Sequence, residues 1–438
     1  MDKNFWNREI ETLPREGILE QQLADLKKIT KYAYAQSPYY KRLYDEAGVN
    51  PSCIEKLDDI ENFSFINKTA LRADLANAPI YGDILAVPEN EIVYIACSSG
   101  TTGQPTISPF TKDEFKQIVD LSARFFYSFG MREADRYIHC LNLSLFIASP
   151  SILAAQDVGA ASIWGGILPK ERLFKMLQKL DVTMMQTTPS FAWQMGNYVK
   201  DLGIDPAKDL SINKLIVAGE PGGSIPSTRQ AIEQIWGVKL FEVYGFSDIA
   251  GCLAASCPAQ DGLHLAEDYF MVEVISLDTG KPVLDGETGE LVFTALKKRG
   301  RPMIRYRSGD VGSVNHSTCS CGRTHARLKV VGRLDDMFII SGVNVFPSDI
   351  EPVIRNLDGI TSEYRIRLIS EDFTTRYVIE VERDRNSYEN IQTLKDRVSN
   401  TLKNTILARP MDVVVLHEGD LPRTGYKTKR IIDERNNQ

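Results

Sequence analysis

The sequence predicts an α/β fold: one large N-terminal domain of several subdomains, residues 1–335, and a small α+β C-terminal domain, residues 336–438. Three observations carry this prediction. Between residues 91 and about 270, short β-rich runs alternate with helix-like segments, the pattern of a largely parallel sheet. From 270 to 334, M-V-E-V-I and E-L-V-F-T-A-L flank a D-G-E-T-G turn, a hairpin pattern of antiparallel sheet. Beyond G-R-L-D-D lie about 100 residues of mixed pattern, enough for a small separate domain. A chain of 438 residues also exceeds what one hydrophobic core usually supports.

In chain order, residues 1 to about 90 read as helical, with E-Q-Q-L-A-D-L-K-K-I placing apolar positions at helical spacing. Strands are expected at Glu91–Ala96, Tyr137–Leu143, Thr183–Thr187, Lys214–Val217 and Val238–Val243, with helices at Asp113–Phe129 and Lys170–Leu180 between them. The most apolar long stretch, Leu141 to Leu168, is broken by Pro150, Gln156 and Asp157, so it reads as buried helix and strand and not as a membrane span. After Asp335 or Asp336 come a short hairpin, a helix from about Pro347 and a strand Arg376–Glu382. A helix over about 387–406, a strand Asp412–His417 and a polar tail complete the chain.

The composition is 43% hydrophobic and 25% charged, with a formal net charge of -7. The acidic balance argues against a general nucleic-acid binder and against a polybasic membrane anchor. The N-terminus M-D-K-N-F-W-N-R-E lacks the apolar core of a signal peptide. Seven cysteines is an odd number for a disulfide framework, and free thiols or a metal fit better. A cytoplasmic protein is the expectation.

One loop calls for chemistry. Residues 97–109 read C-S-S-G-T-T-G-Q-P-T-I-S-P, interleaving Ser98, Ser99, Thr101 and Thr102 with Gly100 and Gly103. Such a string packs no core. It is either a flexible linker or a cradle whose backbone N–H groups and hydroxyls wrap a phosphate. G-x-S-x-G is absent, and Gln104 stands where a Walker loop needs lysine. Y-G-F-S-D (Tyr244–Asp248) and Y-R-S-G-D (Tyr306–Asp310) each follow a strand, G-R-L-D-D (Gly332–Asp336) marks the boundary, and L-P-R-T-G-Y-K-T-K-R (Leu421–Arg430) is a basic tail. An acidic residue after a strand suits a metal or ribose hydroxyls, and tail lysines suit phosphate or carboxylate charge.

Cys257 and His264, with Cys319 and Cys321, form two short-range Cys/His pairs of the kind a closed tetrahedral Zn²⁺ site needs, with Cys252 an alternative to Cys257. Buried free thiols and a surface histidine are the competing reading. Cys97 reads as packing and not as a nucleophile, and His139 and Cys140 as core. His316, His325 and His417 read as solvated loop or strand-end residues. Tyr137, Phe146, Trp164 and Phe246 line an acyl pocket or simply fill the core.

Taken in order, the five motifs resemble the adenylate-forming enzymes, and within them the phenylacetate-CoA ligases, whose signature D-D-M-F-I-I-S-G-V-N-V-F-P-S-D-I-E (Asp335–Glu351) resembles. The resemblance implies a fold of adenylate-forming type with a mobile C-terminal domain. It implies that Ser98, Ser99, Gly100, Thr101, Thr102 and Gly103 hold the β- and γ-phosphates of ATP. Gly219, Glu220 and Pro221 would line the adenine side, Tyr244, with Gly245, Phe246 and Ser247 beside it, would stack near the base, and Asp248 would serve Mg²⁺. Asp310 would take the ribose hydroxyls and Arg333 ribose or phosphate. Asp335 would be the hinge, Gly342 and Val343 the wall of the coenzyme A tunnel, and Lys427, or Lys429, the cation at the reacting carboxylate.

The resemblance implies acyl-AMP formation from an aromatic or arylacetic acid, then transfer to coenzyme A by a homodimer. Delivery to an amine or carrier protein, or nucleotide binding without turnover, are the alternatives. Three positions depart from the family pattern: Gln104 replaces lysine, Asp248 replaces glutamate, and T-G-Y-K separates glycine from lysine.

Overall fold

The computed structural model describes residues 4–435 except 79, 98–105, 144–148, 341–342, 372–373 and 423–429. An eleven-stranded sheet forms the large unit. Its parallel part runs Ala161–Trp164, Arg136–His139, Met184–Thr187, Lys214–Ala218 and Lys239–Phe246. From Lys239–Phe246 onward the neighbours turn antiparallel, through Ala250–Ala255, Leu263–Leu265, Arg327–Arg333, Tyr306–Asn315 and Gly289–Ala295 to Phe270–Ile275. The expected hairpin of residues 270–295 is present, with Val272 opposite Phe293.

Side chains of the parallel strands alternate between two cores, as strand geometry requires. Met184 and Ile216 join one apolar cluster, and Met185, Leu215 and Val217 join the other. The helix Lys112–Ser128 covers the first, started by a capping box in which Thr111 Oγ1 accepts from Glu114 N and the Glu114 carboxylate accepts from Thr111 N. The helix Pro226–Trp236 covers the second and stops at Gly237, whose φ of +64° suits glycine.

The expected parallel strand at Glu91–Ala96 is corrected. Ile92–Cys97 pairs antiparallel with Ile107–Thr111 in a sheet of its own. Residues 98–106 are too few for a crossover, and a short connection returns the chain as a hairpin. The strand expected at Tyr137–Leu143 ends at His139. Trp164 is 64% exposed and belongs to no core, and His325 is buried where a solvated loop is expected.

Apolar residues from Phe338 to Val413, joined by Ile431, make a separate cluster. It lies on a four-stranded sheet in the order Asp412–Leu416, Thr374–Arg383, Ile360–Glu371, Ile431–Asp433, with helices Pro347–Arg355 and Ile391–Ile406. Ile360–Glu371 and Ile431–Asp433 are absent from the sequence expectation. Among the described residues, several contacts tie this unit to the large one. Thr228 Oγ1 donates to Glu351 at 2.8 Å, Ser348 Oγ donates to the Val331 carbonyl at 2.6 Å, and the Arg355 guanidinium lies 5.3 Å from the Trp193 ring centre. No helix among the described residues is long and apolar enough to cross a membrane.

Candidate active site

The site forms where the sheet changes from parallel to antiparallel, a place where side chains at the strand ends face an open crevice. Tyr244 lies near the end of Lys239–Phe246, and the turn after it carries Ser247 and Asp248. Gly245 is required here: a Cβ would lie 2.5 Å from the Gly251 carbonyl of the returning strand. Phe246 stacks on Tyr306 at 5.8 Å, which fixes the direction in which the turn leaves the sheet.

Asp248 is buried and held on several sides. Thr106 Oγ1 donates to its Oδ1 at 2.5 Å, Tyr306 Oη donates to Oδ2 at 3.3 Å, and Lys68 Nζ stands 3.9 Å from Oδ2. Ser108 Oγ donates to the Asp248 carbonyl at 3.1 Å. Cys97 pairs with Ile107 across the mouth of the hydroxyl-rich loop. Both ends of that loop therefore start from a fixed base, and one end is bonded to a carboxylate. A single buried carboxylate beside substrate oxygens is the donor set that Mg²⁺ uses.

Asp310 and Arg333 face each other across adjacent antiparallel strands. Arg333 Nη1 donates to Asp310 Oδ1 at 2.9 Å, and Tyr244 Oη donates to Oδ2 at 2.6 Å. Burial pushes the Asp310 carboxyl up, and Arg333 opposes that rise. Each carboxylate oxygen keeps a second lone pair, so a diol can still be received. Arg333 Nη2 also donates to Asp335 at 3.0 Å, in the short turn Leu334–Asp336. Gly309, at φ +74°, lets Arg333 pass within 3.1 Å of where a Cβ would stand.

Gly219, Glu220 and Pro221 follow the strand Lys214–Ala218, next to Tyr244's strand. Gly219 has φ +90°, and Glu220 accepts from Ser190 N at 2.7 Å. A Cβ on Gly223 would lie 2.8 Å from Glu242 Cβ, so glycine lets this loop lie flat against the strand. Ser224 donates to Glu242, whose carboxyl burial pushes up to about 7.

Tyr137 is fully buried, its hydroxyl bonded to Gln186 and 2.8 Å from His139 Nδ1. Val343 lies on the hairpin Phe338–Ile340/Val343–Val345. Ser98, Ser99, Gly100, Thr101, Thr102, Gly103, Phe146, Gly342, Lys427 and Lys429 lie outside the described residues. Lys68 joins the site without a sequence signal of its own, and Ser108 and Tyr306 lie in quoted motifs whose pattern does not single them out, because only the fold brings residues 68, 108 and 306 to Asp248.

Cys257, His264, Cys319 and Cys321 converge, with their ligand atoms all within 4.8 Å of one another. Cys257 Sγ is 3.7 Å from Cys319 Sγ, and Cys321 Sγ is 3.4 Å from His264 Nε2. A tetrahedral Zn²⁺ with bonds of about 2.3 Å to sulfur and about 2.0 Å to nitrogen separates its ligands by about 3.8 and about 3.5 Å, so the residues fit. His264 Nδ1 donates to the His325 carbonyl at 3.0 Å, which leaves the Nε2 lone pair facing the sulfurs. His325 is itself fixed, its Nε2 3.0 Å from the Ile10 carbonyl. Cys252 sits elsewhere, 3.2 Å from Ser122 Oγ, and is no alternative ligand.

Residues 24–295 match the AMP-binding enzyme family, and residues 342–435 match the AMP-binding enzyme C-terminal domain. The chain belongs to the AMP-binding enzymes. Within this family it is 32% identical to a phenylacetate-coenzyme A ligase of Thermus thermophilus, over 98% of this chain and all of that one. Among solved AMP-binding enzymes it resembles a 2-hydroxyisobutyryl-CoA ligase in its postadenylation state, with an acyl-AMP bound. The TM-score is 0.93 at 27% identity, covering 100% of this chain and 94% of that one. Against the same ligase in its thioesterification state, with CoA, the TM-score is 0.74 at 28% identity, covering 99% and 93%. Identity and coverage hardly differ between the two, so the large and small units here are arranged more like those of that ligase's postadenylation structure than those of its thioesterification structure.

Proposed function

We propose that this chain is an AMP-forming acid–thiol ligase. It activates an aromatic or arylacetic carboxylate with ATP and transfers the acyl group to coenzyme A. The observation that carries this reading is a pair of buried carboxylates, Asp248 just past Lys239–Phe246 and Asp310 within Tyr306–Asn315, each bonded by a tyrosine of the other's segment. Asp310 is held by Tyr244 and Arg333 as a receiver of ribose hydroxyls, and Asp248 is tied to the exit of the hydroxyl-rich loop as a holder of phosphate-bound Mg²⁺. Near-full-length similarity to phenylacetate-coenzyme A ligases supports the choice of acid and thiol.

In the first step a carboxylate oxygen bonds to the α-phosphorus, and the bond to the β-phosphate oxygen breaks with its electron pair leaving on pyrophosphate. In the second step the thiolate sulfur bonds to the acyl carbon and AMP departs with the electron pair. A carboxylate is a weak nucleophile that phosphates repel. The residues therefore act by placement and charge neutralisation, with no covalent protein intermediate. Asp310 and Arg333 fix the nucleoside, Asp248 would hold Mg²⁺, and Lys427 is assigned to the carboxylate and α-phosphate. Gly219, Glu220 and Pro221 flank the base, and Gly342 and Val343 line the thiol's approach. The small unit, from residue 336 on, swings about Asp335 between the steps.

The Cys257–His264–Cys319–Cys321 cluster is read as a structural Zn²⁺ site: with four protein ligands no position is left for substrate. None of the seven cysteines is paired in a disulfide, which supports a cytoplasmic setting. A homodimer belongs to the same reading. The test is pyrophosphate release across a panel of aromatic, arylacetic and small hydroxy acids, with coenzyme A esters detected by mass. Pyrophosphate release without thioester would move the acceptor to an amine or carrier protein. Absence of both would leave nucleotide binding alone.

A further inference from the structure

Residues 297–305 read K-K-R-G-R-P-M-I-R, with five basic side chains in nine positions. Four of the five are engaged. Lys297 lies 4.6 Å from the centre of the Tyr269 ring, and Arg299 lies 4.4 Å from that of Tyr32. Lys298 Nζ donates to the Pro109 carbonyl at 3.2 Å above the Phe110 ring, and Arg305 pairs with Glu273 at 2.7 Å. Arg301 differs. It is 1% exposed, and its Nε, Nη1 and Nη2 have no hydrogen-bond partner. A buried guanidinium with unmet donors is costly, and no described residue supplies it with a hydrogen bond.

Its surroundings say what would. The segment is pinned to the base of the hydroxyl-rich loop: Gly300 N donates to Glu114 at 2.7 Å, and Lys298 grips the strand Ile107–Thr111 through which that loop leaves. Tyr40 Oη donates to the Pro302 carbonyl at 3.1 Å and accepts from Ile304 N at 3.0 Å, which holds the other side. Burial pulls the Arg301 guanidinium down, and Asp248 is the foremost charge opposing it. From Cys97 to Thr111 the sequence contains neither lysine nor arginine. Cations for a triphosphate bound there come from other segments, as Lys68 does beside Asp248, and a guanidinium fork matches phosphate oxygens.

We infer that Arg301 is a catalytic residue of the first step: its guanidinium binds β- and γ-phosphate oxygens of ATP beside Asp248 and receives the charge of the departing pyrophosphate. This rests on the ligase reading above and adds a residue to it. The bond changes are those already given, and no proton moves to or from Arg301.

Calorimetry on the full chain with Mg²⁺ tests it, using inorganic pyrophosphate and AMP as separate probes on the native chain, Arg301→Gln and Arg301→Lys, with unfolding temperatures alongside. Arg301→Gln is expected to weaken pyrophosphate binding about tenfold or more while AMP binding stays within about twofold, and Arg301→Lys is expected to recover part of the loss. Unchanged pyrophosphate affinity in both variants overturns the assignment. So does a parallel fall of pyrophosphate affinity, AMP affinity and unfolding temperature in both, which would make Arg301 structural. A native chain that binds neither probe overturns the ligase reading, and this inference with it.

Discussion

Thr106 donates its hydroxyl hydrogen to Asp248 at 2.5 Å, across 142 positions of sequence. This bond joins Thr106, just before the strand Ile107–Thr111, to the carboxylate that follows Tyr244's strand. It makes the loop's exit and the Asp248 carboxylate one assembly.

Thr106→Val keeps the shape and removes the donor. Loss of a hydrogen bond to a charged group is worth about 1.5–3 kcal/mol, so ATP-dependent pyrophosphate release should fall about tenfold or more. Thr106→Ser should restore most of it. Equal rates in Val and Ser variants would detach Thr106 from the chemistry.

The Cys/His cluster makes a direct chemical prediction. Purified chain should contain about one zinc per chain by elemental analysis. Cys257→Ser or Cys319→Ser should lower both zinc content and unfolding temperature. Fewer than about half an equivalent of zinc in native chain would remove the site.

His139 gives a pH signature. It is fully buried, and desolvation draws its pKa from 6.5 to about 4. The unfolded chain therefore binds a proton that the folded chain refuses between those values. The stability His139 contributes is complete above pH 6.5 and is lost as pH falls through that window toward 4. At about 1.4 kcal/mol per unit the loss reaches about 3 kcal/mol. Urea unfolding of native chain and His139→Asn across pH 4 to 7 should differ in slope there. Parallel curves would show that His139 is not the group responsible.

Thr228 and Glu351 bridge the two units in an arrangement similar to that of the postadenylation ligase structure. Thr228→Val should destabilise that arrangement, lowering acyl-AMP formation several-fold while thioester formation from supplied acyl-AMP holds or rises. A uniform loss in both half-reactions would mean the contact does not discriminate between them.

Lys427→Ala should suppress acyl-AMP formation by at least about a hundredfold, the scale expected on removing a charge that acts only in the transition state. It should leave thioester formation from supplied acyl-AMP near the native rate, and Lys429→Ala should change little. The reverse ranking would move the assignment to Lys429.

Much of the architecture is legible from local pattern. The hairpin around D-G-E-T-G and the helices at 112–128 and 170–179 come from turn residues and spacing that act over a few positions. The strand Ile360–Glu371 has the same kind of signal, since Tyr364, Ile366 and Leu368 alternate inward, yet interleaved Arg365 and Arg367 mask it. The strand Ile92–Cys97 looks like any other β-rich run. Its partner depends on the length of the loop that follows and not on its own residues.

By itself the sequence determined the order of the motifs, the residue types at each strand end and the two-unit plan, because these depend on neighbours in the chain. Only the tertiary structure decided that Thr106, Tyr306 and Lys68 meet at Asp248, that Cys257 and not Cys252 joins His264, and that Arg301 is buried with its donors unmet. Those facts depend on which side chains burial brings within a few ångströms and which it leaves without a partner. A sheet that pairs residues hundreds of positions apart fixes them, and composition does not.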